Sequence, residues 1–150
     1  VAVRRRVPEG GGRYPAAERR SHVMDIVAAL FVENLDFRQV PGPSTRIDLT
    51  GIFFSLPVAE FPVTLTPHLI VLVRAPADDP GTATFEALFS RDGEQVARNV
   101  QPCPVEAGKF GYRLVRPELP FDEPGTIEAR CTLLESGSSV TVPLTVMPAP

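Results

Sequence analysis

The chain has 150 residues, 43% of them hydrophobic, with 17 prolines, two cysteines and no tryptophan. That is enough for one domain with its own core, too little for two ordinary ones, and too apolar for a disordered chain. The net charge of −3 hides a division: residues 1–20 carry six arginines against two glutamates, so the rest of the chain holds −7. An acidic body repels phosphate backbones, which argues against nucleic acid as a partner.

Residues 1–22 have no hydrophobic period and include Gly10-Gly11-Gly12 and scattered arginines. They are expected to form a disordered basic tail. One reading is an arm for nucleic acid or anionic lipid; the plainer one is a leader upstream of a native start at Met24. The arginines have neither interleaved aromatics nor an amphipathic helix to present them, which favours the plainer reading.

A β-domain is expected over residues 23–148. Residues 23–32 are apolar, but Asp25 interrupts them and Glu33 follows, with no small-residue cleavage site. They read as a strand bent near Glu33-Asn34, not as a signal peptide. No run approaches the roughly 20 apolar residues of a membrane span. Without an export signal the expected compartment is the cytoplasm, with Cys103 and Cys131 as buried, reduced thiols.

After the Pro41-Gly42-Pro43-Ser44 turn, a second strand is expected over residues 46–56, with Gly51 as a bulge or close-approach point. Residues 61–66 lead through Pro67 into residues 69–74, an apolar run suited to burial on both faces. Asp78-Asp79-Pro80-Gly81 turns the chain. Residues 84–90 and 94–100 form a hairpin around Arg91-Asp92-Gly93, since Asp-Gly is a strong hairpin signal. Another strand covers residues 108–115, and a single helical turn is admitted near 115–119 or 16–20. After Asp122-Glu123-Pro124-Gly125, residues 126–134 and 140–146 alternate apolar and polar as a final hairpin. Pro124-Gly125 reads as a fixed φ followed by a positive one. About eight strands at roughly ten-residue spacing point to an all-β, single antiparallel sandwich, immunoglobulin-like or C2-like.

Residues 24–35 (MDIVAALFVENL), Leu49-Thr50-Gly51-Ile52-Phe53, Val71 to Arg74, Arg91-Asp92-Gly93, Leu119-Pro120-Phe121-x-x-Pro-Gly-x-Ile and Pro143-Leu144-Thr145-Val146 follow in a suggestive order. Over residues 24–147 the chain resembles a family of short bacterial immunoglobulin-like or C2-like β-sandwich proteins with no assigned activity. It departs from the usual pattern at Ile127, where an aromatic residue is common, so a tyrosine corner is not implied. The resemblance brings no catalytic residues. It implies Met24 as the natural start.

Chemistry is sparse. His22 and His68 are unpaired in sequence, and Cys103 and Cys131 lack metal-ligand spacing. Ser136, Ser138 and Ser139 belong to a turn, with no nucleophile elbow. The carboxylates Asp78, Asp79, Asp122 and Glu123 are the weak candidates for a metal: loop carboxylates at one end of a C2-like sandwich would hold calcium, although acids before Pro-Gly are also ordinary turn formers. No cofactor is expected. The expected role is a non-catalytic interaction or structural module, meeting a protein partner or a second copy through a sheet edge. The edge candidates are residues 61–66 and 94–100, and the second has fewer prolines to blunt it. The alternative is a C2-like module that binds calcium, lipid or another small ligand through its end loops.

Overall fold

Short runs of valine, isoleucine, leucine and phenylalanine, each closed by proline or glycine, favour strands over helices. The computed structural model describes residues 23–42, 45–78 and 81–150. Its eleven strands are β1 (Asp25–Gln39), β2 (Thr45–Ile52), β3 (Ser55–Val58), β4 (Val63–Leu65), β5 (His68–Arg74), β6 (Thr84–Arg91), β7 (Glu94–Pro102), β8 (Phe110–Val115), β9 (Leu119–Phe121), β10 (Gly125–Leu133) and β11 (Ser139–Pro148). A four-stranded sheet of order β2-β1-β5-β8 packs on a five-stranded sheet of order β3-β11-β10-β6-β7, and β4 pairs with β9.

The fold is thus an all-β sandwich. It has eleven strands where the spacing suggests about eight, for two reasons. The expected second strand divides near Phe53 and Phe54, so that β2 and β3 join different sheets. The expected helical turn near 115–119 gives way to β9, whose Leu119 and Phe121 are fully buried opposite Leu65 and Val63. Pairing is antiparallel except for β3, which runs parallel to β11. Residues 1–22, with the expected tail and its helical turn, lie outside the described residues, as do Pro43, Ser44, Asp79 and Pro80.

The core lies between the two large sheets. Phe31, Phe85, Phe89, Leu69, Ile127, Leu133 and Leu144 are fully buried there. The last hairpin keeps the alternation of its sequence: Ile127, Ala129, Cys131 and Leu133 point inward beside Leu144, Val142 and Val140. Asp92 and Gly93 have φ of 50° and 82°, the left-handed pair that a two-residue hairpin turn requires. Gly125 does not take the positive φ expected of it. A Cβ there would lie 2.4 Å from Arg91 Nη2, so its small size serves a close approach instead.

Strand β5 is buried on both faces, as its apolar run suggests: Leu69, Val71 and Val73 face the core while Ile70, also fully buried, faces away. The distal half of β1 and all of β2 explain that cover. Phe37 lies nine residues beyond Ala28, which is opposite Leu72 and, through it, Tyr112. A straight strand would carry Phe37 about 30 Å away. Instead its ring centroid is 5.4 Å from that of Tyr112. The β1–β2 ribbon therefore bends back over the outer face of the smaller sheet. Gly51 sits at the bend with φ of 68°, and a Cβ there would meet the Glu33 carboxylate at 2.5 Å.

Candidate interaction edge

The sequence candidates for chemistry are scattered by the fold. Asp78 follows β5 at the end of the sandwich where β6 begins. Asp122 and Glu123 precede β10, beside the end of β6, where Arg91 binds their turn. The eight residues of β6 separate the two turns by about 25 Å. They do not converge, and Asp79 lies outside the described residues. Among the described residues no group of three or more His, Cys, Asp or Glu side chains could hold a metal ion.

His68 opens β5 opposite Val32. The serine-rich turn is at the other end, where Ser138 Oγ accepts the Ile26 N–H at 3.0 Å. Ser139 shares its hydroxyl with Arg130 and Thr132. These hydroxyls serve the turn, and no described histidine lies beside them.

Cys103 and Cys131 are both buried and unbridged. Cys131 is opposite Ala87, and Ala87 is opposite Asn99. Cys103 is four residues further along the same chain segment and two strands away, well beyond the roughly 7 Å limit for a disulfide. Burial pushes the Cys131 thiol up to about 12. Burial also raises Cys103, with Arg113 partly opposing it.

What the fold does assemble is an edge. Strand β7 is the outermost strand of the larger sheet. Cys103 N donates to Ala83 O at 2.8 Å and Val105 N to Gly81 O at 2.8 Å, so odd-numbered residues of this segment point their backbone groups inward. Arg98, Val100 and Pro102 therefore point outward. Pro102 has no N–H to offer, as suits an edge position. At the other end, the register shifts between Phe89 and Ser90, so Val96 falls in a bulge. Between these two guards Arg98 and Val100 present both donors and acceptors, and the Val100 side chain is 44% exposed. Arg98 is held across the sheet by Glu86 at 2.8 Å.

The other edges are better closed. Strand β3 has four residues and contains Pro57. Strand β2 belongs to the folded-back ribbon. Leu114 O, on the open side of β8, accepts Gln101 Nε2 at 3.2 Å, and Gln101 Nε2 also donates to Asn99 Oδ1 at 3.0 Å. The other sequence candidate, residues 61–66, is not a long edge at all: its strand core, Val63–Leu65, is paired with β9.

Sequence reasoning found the β7 segment but not which of its backbone groups are available. That depends on pairing parity, which only the register supplies. No helix among the described residues is long and apolar enough to cross a membrane. No protein-family model matches the chain, and no curated protein matches it.

Proposed function

We propose that this protein is a non-catalytic interaction module that adds a strand to the free edge of β7, with a second copy of the chain as its partner. The observation that carries this reading is the outward aim of the Arg98 and Val100 backbone groups on an outermost strand with nothing beyond it. An antiparallel pairing about a two-fold at Asn99 sets Arg98 opposite Val100 of the copy. Each such pair can exchange both backbone hydrogen bonds, and no like charges face each other. The bulge and Pro102 confine pairing to this window, which opposes open-ended aggregation.

The strand order favours the immunoglobulin-like reading over the C2-like one. Strands β1, β5 and β8 lie side by side as A, B and E do, and β7, β6, β10 and β11 as C′, C, F and G do. The calcium-binding alternative needs loop carboxylates at one end, and the separation of Asp78 from Asp122 and Glu123 weighs against it. Two unbridged cysteines support a reducing compartment such as the cytoplasm.

The test is sedimentation of the full chain over a wide range of concentration, beside Val100→Pro. The wild type should pass from monomer to dimer, and the proline variant should stay monomeric with an unchanged melting temperature, because its lost N–H points away from β6. A wild type that remains monomeric throughout, or a proline variant that dimerises equally, refutes the reading.

A further inference from the structure

Where the ribbon returns over the smaller sheet it leaves a cleft of about 460 Å³ beside β8. Ile47 of the ribbon and Leu72 of β5 supply aliphatic surface; Phe110, Tyr112 and Pro104 supply flat surface. Phe110 is 67% exposed, unusual for the largest apolar side chain on a strand. The size and mainly apolar walls are those of small-molecule sites.

Arg113 also lines this cleft. Its Nε is buried without a hydrogen-bond partner. Arg38, Arg74, Arg91 and Arg98 each have a carboxylate partner, and so does Lys109. Arg113 has none among the described residues. Its neighbour is the buried Cys103, which burial keeps as a neutral thiol. A buried, charge-bearing donor left without an acceptor is costly, and an arriving anion removes that cost.

We infer that the cleft binds a small monoanionic carboxylate with a flat apolar body, the carboxylate on the Arg113 guanidinium and the body between Phe110, Tyr112 and Ile47. A planar guanidinium matches a carboxylate fork, and aromatic walls favour a flat ring. A phosphate dianion would need further cations, yet Lys109, the nearest in sequence, is engaged by Glu106. This site is separate from the β7 edge and stands or falls without it.

The test is a titration of the ¹⁵N-labelled full chain with phenylacetate, phenylacetamide and acetate, followed by amide shifts. Phenylacetate should move the amides of Phe110, Gly111, Tyr112 and Arg113 saturably. It should bind at least about tenfold more tightly than its neutral amide or acetate. Arg113→Gln should erase that preference. Ile47→Trp, which fills the cleft without touching the charge, should abolish binding and serves as the deciding variant if Arg113→Gln does not fold. Equal affinity for phenylacetate and phenylacetamide, shifts confined to another surface, no saturable shift, or phenylacetate affinity unchanged in either variant would overturn the inference.

Discussion

Leu133 and Leu144 face the core from neighbouring strands and are both fully buried. A carboxylate in either place has no cation to meet it, so Leu133→Asp and Leu144→Asp should each cost several kcal/mol, comparable to the whole stability of a small domain. Circular dichroism during heating should show no cooperative transition for either; a normal melt would mean that this hairpin faces the other way. Cys131 offers a subtler test. Its thiol goes from an ordinary 9.0 to about 12 on folding because burial penalises the thiolate. The unfolded chain therefore ionises first. The stability due to the neutral thiol is complete below the ordinary value and is lost as pH rises toward the folded one, at a rate of up to about 1.4 kcal/mol per pH unit. The urea midpoint of the wild type should accordingly fall toward that of Cys131→Ala as the solution becomes alkaline. A gap between the two that does not change with pH removes this role for Cys131.

Two elements hold the ends and flank of the sandwich. At one end Arg91 donates to Pro124 O at 2.9 Å and to Glu123 O at 3.2 Å, and its guanidinium carbon sits 5.6 Å from the Phe121 ring centroid. This joins the β6–β7 turn to the β9–β10 turn. Arg91→Gln should lower unfolding free energy by about 1–2 kcal/mol. Gly125→Ala, which crowds the same guanidinium, should matter less in that background; additive effects in urea melts would show the two do not share a contact. On the flank, the folded-back ribbon rests Phe37 on Tyr112. A double-mutant cycle of Phe37→Ala and Tyr112→Ala should return a coupling of about 0.5–1.5 kcal/mol, and a coupling near zero would mean the ribbon stands free.

These elements also mark how far the sequence could be read. The strands of the final hairpin were legible because one face is buried and the other wet, so period two is written in the residues. The bend at Glu33-Asn34 and the close approach at Gly51 were legible too. The return of the ribbon was not, because β1 continues past the bend as regular strand and only a ring contact with a distant tyrosine discloses its direction. The division of residues 46–56 between two sheets left no signal beyond the change after Phe53. The loop carboxylates were legible as turn formers, but sequence spacing could not say that their turns occupy opposite ends.

At the scale of the whole molecule, the sandwich closes three of its edges with a proline-bearing short strand, a folded ribbon and a glutamine side chain, and leaves β7 open between a bulge and Pro102. The central claim is that this opening receives a strand through the backbones of Arg98 and Val100. Residue-resolved amide hydrogen exchange tests it most directly. In dilute protein the Arg98 and Val100 amides should exchange as open groups while those of Asn99 and Gln101, aimed at β6, are protected; at high concentration Arg98 and Val100 should become protected in step with dimer formation. Protection of Arg98 and Val100 already present in the dilute chain, or none gained when the chains associate, would contradict the account.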